Sequence, residues 1–456
     1  MKKIKRIVTA ALAVAMLAGC GGQPASTSGA SGAQNVQTDG DRTYINGTLD
    51  VTGMPDVELE NKKVTIYCWG EYVPEYENDW EGFRFEDYYG GEVEVIVSNG
   101  DYYENLYKLV AAGEIPDIVV GEATSFPSMI MRDLVQPWDE YLDYDDLVWD
   151  ETGARDSIEE MRWNGSIYNM TARSHNLGVM FYNKRIVEST GLEDPAELQA
   201  RGEWTWDTFR QYLEETTLDT NGDGVTDIYG IVNTGDFPIA LFCSTGETHI
   251  EYTDGQFINN LKSPKVQDAA NFLYDIGNNG DKLMLLGDPV ADFLAGKAAF
   301  VYTNDYRGYI DYADLWETDG LGVVPMPTYP NGDGTQYQAA LNDNLWLMKG
   351  AKNPEGAALM VLCERYDSLL NMDPEAGSAR QTQINSWIDH GFTEEAAEAV
   401  VDLQELPVKV IWSRSITMPE GNLEYRAMDE PWTTLAESME GAVDQAIANA
   451  TTPITG

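Results

Sequence analysis

The segment Asp219-Thr220-Asn221-Gly222-Asp223-Gly224-Val225-Thr226-Asp227 places oxygen-bearing side chains at a chemically meaningful spacing. Asp219, Asn221, Asp223 and Asp227 fill positions 1, 3, 5 and 9 of an EF-hand-type loop. Gly224 supplies the sharp turn at position 6, and Val225 can offer a carbonyl at position 7. Position 12 is Gly230, where the bidentate glutamate should stand. The spacing predicts a structural Ca2+ site of reduced affinity. The same residues also read as an Asn-Gly/Asp-Gly turn joining a helix to a strand. Elsewhere, 76 acidic side chains offer carboxylate pairs for hydrolytic chemistry, but no spacing singles one out. There is no Gly-x-Ser-x-Gly elbow, no His-Glu-x-x-His and no phosphate loop. Three histidines argue against a His-based metal enzyme.

The elements that would carry such residues alternate. Strands are expected at Lys62–Trp69, Gly91–Ser98 and Asp117–Val120, with helices at Tyr76–Tyr88, Tyr102–Ala112 and Phe126–Leu134. A second series has strands at Leu177–Tyr182, Ile228–Val232, Ala298–Tyr302 and Gly322–Pro325. Its helices are Trp206–Thr216, with Thr205 as N-cap, Pro264–Ile276 and Val290–Leu294. Asn342–Met348 and Pro354–Tyr366 follow, and the last third is mainly helical with a strand at Pro407–Ile411. Alternation of this kind predicts an α/β fold, in which ligands sit beyond the C-terminal ends of parallel strands. The loops there are rich in aromatic and hydrogen-bonding groups: Trp69, Glu71 and Tyr72 after the first strand, and Glu122 after the third.

The 456 residues carry a formal charge of −47, which becomes −51 without residues 1–19 and their four cations Lys2, Lys3, Lys5 and Arg6. Such a field repels nucleic acid and anionic lipid. At 43% hydrophobic content the chain can build a core, and its length suits two to three domains. Residues 1–19 read as a signal peptide, with a twelve-residue apolar run too short to span a bilayer. The run ends in Leu17-Ala18-Gly19-Cys20, which resembles a bacterial lipobox. That resemblance implies a diacylated Cys20 and a Gram-positive-type lipoprotein at the extracellular face of the cell membrane. Residues 20–55 then read as the lipidated cysteine and a flexible tether, of which Gly21–Asp41 reaches roughly 25 Å. Cys68, Cys243 and Cys363 lie in apolar settings and read as buried free thiols.

An ordered set of short motifs resembles the extracellular solute-binding proteins of family 1, which serve sugar-importing ABC transporters. The motifs are Val64-Thr65-Ile66-Tyr67-Cys68-Trp69-Gly70, Ala112-Gly113-Glu114-Ile115-Pro116-Asp117-Ile118-Val119 and Phe181-Tyr182-Asn183-Lys184. Gly202-Glu203-Trp204-Thr205-Trp206-Asp207-Thr208-Phe209, Gly296-Lys297-Ala298-Ala299-Phe300 and Lys352-Asn353-Pro354-Glu355-Gly356-Ala357-Ala358 complete the set. The resemblance implies a two-lobed periplasmic-binding-protein-like fold of type II, with a ligand cleft between lobes joined by a hinge. Lobe 1 would comprise 56–173 plus about 335–375, and lobe 2 174–334 plus about 376–456. Hinge crossings would fall near Arg173–Gly178 and Pro327–Gln338. It also implies a monomer that binds an oligosaccharide, performs no catalysis, and is served by separate permease subunits. A glycan-degrading lipoprotein or a surface adhesin or sensor is the alternative.

Sugars present flat C–H faces and rings of hydroxyls, which aromatic rings and acids, amides or arginines recognise. Trp69, Glu71, Tyr72 and Glu122 are therefore ligand candidates, with core packing as the other reading for Trp69. Arg173, His175 and Asn176 lie where the family often places a ligand contact, or else serve as hinge scaffold. Asp236 and Phe237, then Asn304, Asp305 and Tyr306, follow strands of the second lobe. Trp412 and Arg414 follow the last strand. Trp204 and Trp206 are expected to be structural.

Overall fold

The computed structural model describes residues 36–39, 42–45, 48–49, 55, 57–69, 84–98, 100–122, 125–145, 148–151, 154–176, 178–277, 280–316, 318, 320–370, 379–418 and 421–453. Near its start, β1 (Val36–Asp39), β2 (Arg42–Ile45) and β3 (Thr48–Leu49) form an antiparallel meander, with Val36 opposite Ile45. A tether was expected here. The alternating Val36-Gln37-Thr38 and Thr43-Tyr44-Ile45 flank the turn-prone Gly40, which suffices for short strands. No helix among the described residues is long and apolar enough to cross a membrane.

The chain divides into two compact units. The first comprises Met1–Ile118, Pro137–Arg155 and Gly350–Asn371; the second comprises Val119–Gln136, Asp156–Lys349 and Met372–Gly456.

In the first unit β4 (Lys63–Trp69) runs parallel to β5 (Glu92–Ser98), in register from Lys63/Glu92 to Trp69/Ser98. The helix after β5 is Tyr102–Ala112, as its apolar spacing predicts. Asp101 caps it by accepting from the Glu104 amide at 2.9 Å, and Gly113 ends it in the left-handed region at φ 77°. Of the helix expected at Tyr76–Tyr88, the described part is Arg84–Tyr89. Three motifs of the resemblance prove to be one knot. The buried Asp117 accepts from the Thr65 amide and hydroxyl at 2.9 Å and from the Asn353 amide at 2.8 Å. Asn353 in turn donates to the Asn61 and Lys63 carbonyls at 2.9 Å and accepts from the Gly356 amide, fixing the start of the helix Pro354–Leu370 against β4. Buried amides without partners would cost about 1–3 kcal/mol each, so the geometry dictates these residue types.

The second unit holds β6 (Ile118–Glu122, all but its first residue), β7 (Asn169–Asn176), β8 (Val179–Asn183), β9 (Tyr229–Val232), β10 (Ile250–Thr253) and β11 (Gln256–Asn259). It continues with β12 (Met284–Leu285), β13 (Ala298–Thr303), β14 (Leu321–Val324), β15 (Gln338–Leu347) and β16 (Val408–Val410). One sheet has the order β12-β9-β13-β8-β14. There β9 is parallel to β12 and β13, and β8 is antiparallel to β13 and β14. A second sheet centres on β15, which lies between β16 and β6 and also pairs antiparallel with β7. Phe181, Val301 and Val323 of the first sheet pack on Ala397, Val400 and Val401 of the helix Glu394–Gln404. Each large apolar side chain buried there contributes about 1.5–3 kcal/mol.

The helix Trp206–Thr216 starts at a capping box between Thr205 and Thr208, and buries Trp206, Phe209, Tyr212, Leu213 and Thr216 along one stripe. Trp204 and Trp206 are buried, donating to the Pro325 carbonyl at 3.0 Å and the Ser244 hydroxyl at 3.1 Å, which is the structural role expected of them. The three described cysteines are buried thiols outside any disulfide, as their apolar settings predict. The segment expected to hold the first hinge crossing includes the end of the strand β7, paired through Asn176/Ala340 and Arg173/Asp343. Gly178 follows it for close packing: a Cβ there would stand 2.5 Å from the Thr303 carbonyl oxygen.

Candidate functional site

The strand ends of the second unit bring several of the expected ligand residues together. After β9 the chain turns through Asn233, Thr234 and Gly235. The Gly235 amide donates to Asn233 Oδ1 at 3.1 Å, and the backbone there has φ 77°, a conformation glycine adopts freely. That turn sets Asp236 as the first residue of the helix Asp236–Cys243. Asp236 Oδ1 accepts from Arg414 Nη2 at 2.9 Å, with the side chains 28% and 23% exposed. Burial lifts the Asp236 carboxyl above its ordinary range, and Arg414 opposes that shift. A carboxylate and a guanidinium held side by side at a half-open position offer acceptors and donors to neighbouring hydroxyls.

Phe237 is a different case. The helix Asp236–Cys243 is apolar on all sides after its first residue, and every side chain from Phe237 to Cys243 is buried. Phe237 packs edge-on against Phe209 at 6.1 Å and belongs to the core, correcting the expectation that it contacts ligand. Asn304, Asp305 and Tyr306 form the turn after β13. The Asp305 carboxylate accepts from the Tyr306 amide at 2.7 Å, and Tyr306 is an exposed aromatic with the Arg307 guanidinium 5.7 Å from its ring centre. A ring presented this way can cover an apolar face of a ligand.

Trp412 opens the 3-10 turn Trp412–Ser415 and is 3% exposed. Its ring lies among Tyr252 at 5.1 Å, Phe126 at 5.9 Å and Phe257 at 6.1 Å. Phe126 extends the cluster to Trp163 and Trp346. Trp412 also borders a cavity of about 620 Å³ lined by Arg162, Asn164, Tyr252, Gln256 and Lys409. Lys409 is ion-paired with Glu251 there, both largely buried.

In the first unit Trp69 ends β4 half-buried, one face stacked on Tyr102 at 4.4 Å and 22°. Glu122 ends β6, and Arg173, His175 and Asn176 lie on β7. The side chains of these four, together with Glu71, Tyr72 and Cys20, lie outside the described residues.

Three hydroxyls beside Asp236 escaped the sequence reading. Thr234 Oγ1 and Tyr302 Oη are buried without a hydrogen-bond partner among the described residues. Tyr302 is held protonated by burial, with Cys243, Asp236 and Asp305 adding to the effect. Tyr425 Oη stands 3.5 Å from where a Cβ of Gly235 would be. The strand pattern could not mark Tyr302, because all six residues of β13 are buried. Two turn signals could have located the cavity wall. Asn164-Gly165 and Asp254-Gly255 have φ of 48° and 82°, and of 52° and 78°, the left-handed pairs that such dipeptides favour in tight hairpins.

The 219–227 loop is folded by its own acids. Asp219 accepts from the amides of Gly222 and Gly224 at 2.7 Å, Asn221 from that of Asp223 at 2.9 Å, and Asp223 from that of Val225 at 2.8 Å. Asp227 accepts from the Thr220 amide at 2.8 Å. Those amide bonds hold the Asp219 carboxyl below its ordinary value. Among the described residues no group of three or more His, Cys, Asp or Glu side chains converges as a metal site. Position 12 cannot carry a glutamate in this fold: a Cβ on Gly230 would stand 2.7 Å from Leu213 Cα.

No curated protein matches the chain by sequence. By structure it is similar to the sugar-binding protein MalE from Xanthomonas citri, at 17% identity and TM-score 0.60, covering 85% of this chain and 98% of that one. It is similar to an extracellular solute-binding protein from Staphylococcus aureus in complex with maltose, at 13% identity and TM-score 0.61, covering 86% and 100%. A cyclic alpha-maltosyl-1,6-maltose binding protein from Arthrobacter globiformis gives 14% and 0.60, covering 85% and 100%. At these identities the likeness shows the fold, that of the two-lobed solute-binding proteins. The family profile of the bacterial extracellular solute-binding proteins matches residues 70–361, and the chain belongs to that family, one of binding proteins and not of enzymes.

Proposed function

We propose that this protein captures a sugar or short oligosaccharide outside the cell and delivers it to the membrane subunits of an ABC importer. The observation that carries the reading is the saccharide recurring in the structural relatives. Maltose occupies the Staphylococcus aureus protein, maltotetraose a cyclo/maltodextrin-binding protein, and mannotriose a further relative. Family membership supports it, and so does the chemistry of Asp236, Arg414, Asn304, Asp305 and Tyr306: an ion pair and amide for hydroxyls, and an exposed ring for a C–H face. Calorimetry and thermal melting with maltose, maltotetraose and mannotriose test it. One-to-one saturable heat near micromolar affinity, about −8 kcal/mol, is the expected result. Absence of heat and of any melting shift across a broad neutral-oligosaccharide set would refute the sugar reading, and cleaved sugar would favour a glycan-degrading enzyme.

The anchor belongs to the same proposal. Cys20 as the lipidated first residue ties the protein to the outer face of the membrane. A Cys20→Ser variant that stayed with the cell would overturn it. Calcium in the 219–227 loop is a further part. Its support is the oxygen spacing and the Asx turns that curl the loop; its weakness is the missing ligand at Gly230.

A further inference from the structure

Ser413 lies between Trp412 and Arg414, and its hydroxyl donates to Glu424 Oε1 at 2.7 Å. The same oxygen is 3.4 Å from His249 Nδ1. All three residues are buried: Ser413 is 9% exposed, Glu424 2% and His249 1%. Neither imidazole nitrogen has a hydrogen-bond partner among the described residues, and the ring stands edge-on to Phe242 and Trp432 at 6.2 and 6.3 Å. This is no hydrolytic triad, because the hydroxyl faces the carboxylate and not the imidazole, away from solvent.

The short helix Leu423–Arg426 that carries Glu424 reaches the sequence neighbours of both partners of the Asp236–Arg414 pair. Through Glu424 it holds Ser413, the neighbour of Arg414. Through Tyr425, whose hydroxyl stands 3.5 Å from where a Cβ of Gly235 would be, it approaches the neighbour of Asp236. An ionisable group buried this deeply is costly, and a well-packed apolar side chain would fill the place more cheaply. Fixing a geometry is what such a group can do that an apolar one cannot.

We propose that Glu424 is a positioning residue for ligand binding. By accepting the Ser413 hydroxyl it sets the Trp412–Ser415 turn, and so holds the Arg414 guanidinium on Asp236. The proposal rests on the reading that Asp236 and Arg414 touch the ligand. Its test compares the parent full-length chain with Ser413→Ala, Ser413→Thr, Glu424→Gln and Arg414→Ala. The readouts are the Arg414 Nε–H resonance without ligand, the melting temperature, and maltotetraose affinity by calorimetry. Ser413→Ala and Glu424→Gln should move the Arg414 resonance toward that of a free arginine. They should weaken maltotetraose by about tenfold and lower the melting temperature only modestly, with the protein folded at the assay temperature, and Ser413→Thr should restore the resonance and the affinity. An Arg414 resonance that Ser413→Ala leaves unmoved overturns the proposal, as does unchanged affinity in Ser413→Ala when Arg414→Ala binds weakly. If Arg414→Ala binds as the parent does, or the parent binds no member of the neutral-oligosaccharide set, the functional reading of the pair fails instead. The ligand-free resonance then still decides whether Glu424 positions Arg414.

Discussion

Replacing Trp412 with alanine separates a sugar platform from a core anchor. A platform tryptophan leaves a face open, and its loss weakens ligand while sparing the fold. Trp412 is 3% exposed and has three aromatic neighbours within 6.1 Å. Core tryptophan-to-alanine changes cost about 3–5 kcal/mol. The three ring pairs would add about 0.5–1.5 kcal/mol each if fully additive. Against that, one edge of the ring borders the 620 Å³ cavity, where it has fewer atoms to lose. The lower end of the range, about 3 kcal/mol, is therefore expected. Urea unfolding followed by fluorescence and circular dichroism measures it, with the slope checked for an unchanged denatured state. A loss below about 1 kcal/mol at unchanged slope, with strongly weakened sugar binding, would refute the anchor assignment. Tyr306→Ala is the counterpart, because its exposed ring leaves little stability to lose and its effect should fall on affinity.

Asp117→Ala removes the acceptor of three hydrogen bonds and should cost about 2–4 kcal/mol, visible as a lowered urea midpoint. Glu247 has its carboxyl below the ordinary 4.5: burial pushes it up, but hydrogen bonds from Ser263 and Asn260 and the charge of Lys265 pull it further down. A depressed folded value means stability present above 4.5 that is lost as pH falls through the folded value, so Glu247→Gln should flatten the acid limb of the melting curve. If calcium occupies the 219–227 loop, Asp223→Ala lowers the melting temperature more with calcium present than with chelator. Equal melting of the parent with calcium and with chelator would remove the site. Gly230→Ala should destabilise by about 1–3 kcal/mol whatever the calcium level, through its clash with Leu213.

Periodicity and punctuation are local properties of the chain, and what depends on them was legible in the sequence. The helices Tyr102–Ala112, Trp206–Thr216 and Pro264–Ile276 begin and end where their caps and apolar spacing place them. The strand pattern put Asp236, Asn304 and Arg414 in the segments that follow β9, β13 and β16, where the structure has them. The Asp117–Asn353 knot was visible as three motifs, but that they are one structure was not, since 236 residues separate Asp117 from Asn353. Packing decided the rest. Phe237 and Trp412 look in sequence like aromatics beyond strand ends, and only the neighbours that close around their rings make them core. Tyr302 hides in a strand buried on both faces, where alternation carries no signal. The pairings of Arg414 with Asp236 and of Ser413 with Glu424 span 178 and 11 residues. Neither spacing encodes a contact, because side chains meet there only after the turn after β9, the turn Trp412–Ser415 and the helix Leu423–Arg426 have been brought together by the core beneath them.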